Sequence, residues 1–139
     1  MRYLLDTNVV SAVRRRDRLP PKVALWLAAL PGAQSFISAI SLLEIEVGIC
    51  RLERSDPGQA AVLRRWKIKW VTEGFRGRVL AVDEAVAEAC AALHIADPRP
   101  QLEALIAATA IVHEMTLVTR NVADFRGLPI DVLDLWAQA

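Results

Sequence analysis

The chain has 139 residues, 17 of them basic and 16 acidic, for a formal net charge of +1. That length suits a single domain over 1–139 and is too short for two of ordinary size. Hydrophobic residues at 54% and charged residues at 24% exclude a disordered chain. The near-zero net charge excludes a polycation that holds nucleic acid by bulk charge, so any grip on phosphate has to come from a local patch or a metal.

Cys50 and Cys90 lack Cys-x-x-Cys spacing, and zinc-finger and thioredoxin patterns are absent. Asp6 and Asn8 interrupt the apolar start, which leaves no signal-peptide core, and no uncharged run is long enough to span a membrane. The expectation is a reduced, cytoplasmic protein with no membrane association, its cysteines acting as small buried hydrophobes.

In chain order, residues 2–5 are short, apolar and followed by polar residues, which predicts a buried strand. Thr7 and Asn8 open a helix to about residue 16. Pro20 and Pro21 start a second helix that runs to residue 30, since proline suits a first helical turn. Residues 35–38 form a second predicted strand, and Ser41 opens a helix to about residue 53. After the turn at Asp56-Pro57-Gly58, residues 60–75 form an amphipathic helix with Trp66 and Trp70 one turn apart. Residues 78–82 make a third strand, Asp83 caps a helix to about residue 95, and residues 102–114 form another. Residues 116–119 and 130–133 supply two more strands. The alternation predicts an α/β fold: a parallel five-stranded sheet flanked by helices on both faces.

Ligands of open parallel sheets bind beyond the carboxyl ends of the strands. Asp6 follows the first strand. Thr119 closes the fourth, with Arg120, Asn121 and Asp124 just beyond. Asp6 and Asp124 would meet at one rim if these strands are neighbours, although Asp6 also reads as a helix cap and Asp124 as a turn residue. Glu103 lies in a helix that is apolar almost all round, where an ionised carboxylate needs a partner, or serves the helix N-terminus. On the third helix, periodicity does not choose between Glu44 and Glu46. His94 and His113 are isolated, so hard oxygen ligands and Mg²⁺ or Mn²⁺ fit better than zinc. Trp66 and Trp70 read as packing residues. Trp26, Leu27 and Leu30 suit either a dimer surface or the core.

Four stretches together resemble the PIN-domain family, and within it the VapC-type, FitB-like toxins of bacterial toxin–antitoxin pairs. They are Leu4-Leu5-Asp6-Thr7-Asn8-Val9-Val10-Ser11, then Ser38 through Gly48 with the glutamate falling on Glu44, then Ala104-Leu105-Ile106-Ala107-Ala108-Thr109-Ala110, and Leu117 through Phe125. The resemblance implies a metal-dependent endoribonuclease. Its acidic positions match Asp6, Glu44, Glu103 and Asp124, which would hold the metal and carry catalysis. Its supporting polar positions match Asn8, Thr119 and Asn121. Arg120 is the candidate for a substrate phosphate. Glu103 departs from the family's usual aspartate by one methylene.

The resemblance also implies a cognate antitoxin, with one segment lying in a groove and a basic side chain near the acidic pocket. It implies an RNA substrate, DNA contacted only through the antitoxin, and a homodimer. An alternative is a catalytically weakened PIN-domain chain acting mainly as the antitoxin's partner in a DNA-bound regulatory complex. A phosphotransferase using Asp6 as nucleophile is disfavoured, because Asn8 stands where a second aspartate is needed. No phosphate loop or dinucleotide fingerprint is present.

Overall fold

The computed structural model describes residues 1–137. Five parallel strands form one sheet: β1 (Tyr3–Leu5), β2 (Ser35–Ser38), β3 (Val79–Leu80), β4 (Thr116–Val118) and β5 (Val132–Leu133), in the order β3-β2-β1-β4-β5. The connecting helices are α1 (Thr7–Val13), α2 (Pro21–Ala29), α3 (Ala39–Ser55), α4 (Pro57–Trp66), α5 (Glu84–Ala96) and α6 (Gln101–His113). The chain leaves β1 toward β2 and β3 on one side, then crosses by α5 and α6 to β4 on the other. The topological switch therefore falls between β1 and β4, where such sheets open a crevice.

Successive strand residues point to opposite faces, and the core divides accordingly. Leu4 and Leu117, both fully buried, pack with α5 and α6 residues such as Val86, Ala104 and Ala107. Leu5 and Val118 face the other way, with Val9, Ile37, Ile45 and Ala60. Helices thus cover both faces, as the alternating pattern predicts. Trp26 and Leu27 pack into this second cluster, and Trp26 meets Tyr3 edge to face at 5.0 Å. Both Trp26 and Leu27 are partly buried and pack against this core, the second of the two expected roles. Cys90 is buried as expected, but Cys50 is exposed. Among the described residues, no helix is long and apolar enough to cross a membrane.

Several element ends differ from expectation for local reasons. The first helix stops at Val13, where Arg14 donates back to Ser11 and Arg15 takes a non-helical backbone; Arg16–Arg18 form a separate 3₁₀ turn. Arg14 and Arg18, four residues apart with like charge, would repel along a continued helix. The fourth helix starts earlier, at Pro57, because Asp56 accepts a hydrogen bond from the Gln59 N–H at 3.1 Å. It then widens into a π-helical stretch over Lys67–Thr72, closed by Glu73 N–H to Ile68 at 3.0 Å. Trp66 packs into the core, whereas Trp70 is half-exposed.

Candidate active site

Register alone brings the first two site residues together. Leu5 of β1 pairs with Val118 of β4, so the next residues, Asp6 and Thr119, emerge side by side at the carboxyl end of the sheet. Thr119 Oγ1 donates to Asp6 Oδ2 at 2.7 Å, and the Thr7 N–H donates to Asp6 Oδ1 at 2.8 Å. The capping role expected of Asp6 and its rim position are therefore the same geometry. Thr119 is fully buried, and its hydroxyl also accepts from the Asn121 N–H at 3.0 Å and from Asn8 Nδ2 at 3.3 Å. One proton and two lone pairs are all used, so the hydroxyl has no freedom left to rotate. Asn8 Oδ1 accepts the Arg120 N–H at 3.3 Å, which ties the loop after β4 to the first turn of α1.

Glu44 arrives from α3, whose start is set by Ser38 Oγ accepting the Ile40 N–H at 3.0 Å. Thr7 Oγ1 donates to Glu44 Oε1 at 2.6 Å. That uses the only hydroxyl proton of Thr7. Its 2.8 Å contact with the buried Ser41 Oγ must then have Ser41 as donor. A relay from Ser41 through Thr7 fixes the Glu44 carboxylate. Glu46, left open as an alternative, turns away from the site and pairs with Arg64 and Lys67.

Glu103 stands in the first turn of α6, among the buried Ala104, Ile106 and Ala107. Asp124 sits on a short 3₁₀ turn, Val122–Phe125, pinned to the core by the buried Phe125. Arg99 holds the same turn. Its Nη1 donates to the Asp124 carbonyl at 2.9 Å while Nη2 pairs with Asp97 at 3.0 Å.

The four carboxylates thus come from four separate segments and line one cleft of about 250 Å³, together with Asn8, Asn121 and Ser11. Thr119 lies behind the wall, and Arg120 stands outside the cleft, its guanidinium 4.7 Å from the Trp136 ring. Three contributors were not singled out from sequence. Thr7 and Ser41 read only as helix-opening residues, and Arg99 only as part of a proline-flanked break. The one signal was that Arg99 is the cation nearest in sequence to the helix carrying Glu103.

Burial raises the Asp6 pKa above its ordinary value, and the charges of Glu44 and Asp124 add to it, against the lowering effect of the bonds from Thr119 and Thr7. Burial also raises that of Glu103, helped by the charges of Asp124 and Asp6 and by a hydrogen bond with Asp124, while Arg99 opposes. Mutual repulsion among the acids is what a small cation would relieve, and the donors are all hard oxygens, the set that suits Mg²⁺ or Mn²⁺. As they stand, no three His, Cys, Asp or Glu side chains among the described residues form a ready-made metal cage. The acids line the wall and do not converge on one point.

A family model for the PIN domain matches residues 3–129. The chain belongs to the PIN-domain family. It is 52% identical over 66 residues to Ribonuclease VapC14 of Mycobacterium tuberculosis (strain CDC 1551 / Oshkosh), a match covering 48% of this chain and 63% of that relative. It is 30% identical over 138 residues to Toxin FitB of Neisseria gonorrhoeae (strain ATCC 700825 / FA 1090), covering 96% of this chain and 97% of the relative. Its fold superposes on the crystal structure of FitAcB from Neisseria gonorrhoeae with a TM-score of 0.85 at 29% identity, over 97% of this chain and 99% of the other. A toxin–antitoxin complex from Klebsiella pneumoniae is also similar, with a TM-score of 0.66 at 26% identity over 96% and 98% of the two chains.

Proposed function

We propose that this PIN-domain chain is a metal-dependent endoribonuclease, the toxin of a toxin–antitoxin pair. The reading rests above all on four carboxylates from distant segments lining one cleft at the switch point of the sheet. A relative named as a ribonuclease and one named as a toxin support it.

Asp6, Glu44, Glu103 and Asp124 are the residues that would hold one or two Mg²⁺ or Mn²⁺ ions. When bound, such ions favour hydroxide as the attacking group and offset the charge that develops on the phosphoryl oxygens. The chain's own part is preorganisation. Thr119 and the Thr7 N–H hold both oxygens of Asp6. Thr7, backed by Ser41, holds Glu44. Arg99 fixes the turn that carries Asp124. Asn8 and the Asn121 N–H lock the Thr119 hydroxyl, so the Asp6 carboxylate cannot swing out of the cleft.

The partner in this reading is a cognate antitoxin, with DNA contacted only through it and the toxin acting as a homodimer. A mainly apolar cavity of about 380 Å³ between α1, α2 and the π-helical stretch, lined by Val10, Leu27, Trp66 and Trp70, suits the apolar side chains of an antitoxin segment.

The test is cleavage of a mixed RNA pool with and without Mn²⁺ or Mg²⁺. The protein should cut only with the ion. Asp6→Asn should lose roughly a thousandfold or more in rate while keeping its circular-dichroism spectrum. Undiminished ion-dependent cleavage by that variant would refute the assignment.

A further inference from the structure

Beside the acidic cleft lies a second, basic pocket of about 330 Å³, lined by Arg14, Arg15 and Arg18 from the end of α1 and the turn after it, and by Arg120 and Trp136. Ser11 lines both hollows, so the two share a wall. The cluster is not the usual surface mixture of signs. Among the described residues none of these four arginines has a carboxylate within 4 Å, not even Asp17 in the same segment. Arg14 is half-buried, and its pKa is lowered by burial and by the charges of Arg15 and Arg18. Arg16, from the same run, turns the other way to lie 5.3 Å from the Trp70 ring, so the fold sorts the arginines and does not simply expose them. Arg120 is held by its N–H on Asn8 and by stacking on Trp136, which presets the direction of its guanidinium.

The two pockets sit at the two ends of one short helix. Asp6 is the N-cap of α1 and Arg14 its C-cap. At 1.5 Å per residue their separation along the axis is about 12 Å. That is the span of a few nucleotides stacked at about 3.4 Å each. An anionic polymer lying along α1 could thus present one phosphodiester to the acids and a neighbouring phosphate to the arginines.

We propose that this basic pocket is a phosphate-binding subsite for single-stranded RNA, gripping the strand one to a few nucleotides away from the bond in the acidic cleft. The inference rests on the ribonuclease reading and adds how a chain of net charge +1 holds a polyanion next to four carboxylates. The arginines supply local attraction where total charge supplies none, and their fork geometry suits phosphate oxygens.

The test uses the full chain carrying Asp6→Asn, so that RNA is not consumed, and a fluorescent single-stranded RNA read by anisotropy across a salt series. Adding Arg14→Gln with Arg18→Gln should raise Kd about tenfold at low salt. It should also flatten the salt slope by about 1.4, at about 0.7 per lost phosphate contact. Arg54→Gln, an exposed arginine at the far end of α3, should change neither. In the protein with native Asp6, the double variant should raise KM and leave kcat unchanged. Arg120→Gln should act in the same direction, and serves if the double variant proves unfolded by circular dichroism.

An unchanged Kd and slope, or an equal loss with Arg54→Gln, would overturn the subsite. So would displacement of bound RNA by poly-glutamate at equal charge concentration, which would assign the pocket to acidic peptides. If native protein cuts no RNA with any divalent ion, yet the Asp6→Asn protein binds it through these arginines, the hydrolase reading fails and the subsite stands. If cleavage proceeds but is indifferent to the arginines, the hydrolase stands and the subsite fails.

Discussion

Glu44 and Glu46 stand two residues apart on α3 and meet opposite surroundings. Two helical residues are about 200° apart around the axis, so the side chains leave on nearly opposite faces. Glu46 is saturated by cations, with Arg64 Nη1 at 2.7 Å from Oε1 and Lys67 Nζ at 2.6 Å from Oε2, and Arg64 reaches on to Glu53. The hydrogen bonds from Lys67 and Arg64 hold its pKa down to about 2. Among the described residues, Glu44 has only the Thr7 hydroxyl as hydrogen-bond partner and no basic side chain within 4 Å. A carboxylate whose cation comes from the same chain serves the fold. One gathered with other acids and held by neutral donors has no such partner among the described residues, as the proposed metal-binding role requires. Hydrogen-bond partners, and not exposure alone, separate a structural acid from a candidate functional one.

Breaking the neutral support should have the largest effect after removal of Asp6 itself. Thr119→Val takes a donor from Asp6 and an acceptor from Asn8 and the Asn121 N–H. We expect roughly a 10–100-fold loss in ion-dependent cleavage, together with about 1–3 kcal/mol of stability from the unpaired buried groups. Single-turnover kinetics and urea unfolding measure the two. Thr119→Ser keeps the hydroxyl and should recover most of the activity, which a purely steric role would not require.

A smaller effect is expected at Glu103, the position where the family resemblance implies an aspartate. Glu103→Asp withdraws the carboxylate by one methylene, and turnover should rise severalfold if the longer side chain keeps the ion ligands from converging. Equal inactivity of both forms toward RNA, with antitoxin binding intact, would favour the role of a weakened PIN-domain binding partner.

The smallest effect belongs to the structural acid. The folded pKa of Glu46 lies near 2, below its ordinary 4.5, so its contribution is complete above about 4.5 and disappears as pH falls toward 2. Wild type should therefore be slightly more stable than Glu46→Gln at neutral pH, and the gap should close across that acid window and shrink in salt. Thermal midpoints over a pH series read this directly, and cleavage rates should be unaffected. A loss of cleavage on Glu46→Gln would break the contrast between the two glutamates.

Much of the fold is legible in local pattern. Short apolar runs ending in Asp6, Ser38 and Thr119 mark β1, β2 and β4, and the almost wholly apolar α6 marks a buried helix. The breaks at Pro20-Pro21 and Asp83 lie within a residue or two of the observed helix starts. Helix ends were less legible. The first helix ends at Val13, short of the expected bound, and α4 runs into a π-helical stretch that the amphipathic pattern does not mark.

Side-chain chemistry and the helix and strand periods were enough to tell which residues carry charge, which faces are apolar, and that acids fall at the ends of apolar elements. The neighbouring of β1 and β4, which sets Asp6 against Thr119, came from tertiary packing instead. So did the selection of Glu44 over Glu46, the reach of Arg99 from a loop to hold the Asp124 turn, and the parting of Arg14 and Arg16 to different sides of α1. Those outcomes depend on strand order and helix rotation, and both are set by how distant apolar faces bury one another, which no local window of residues contains.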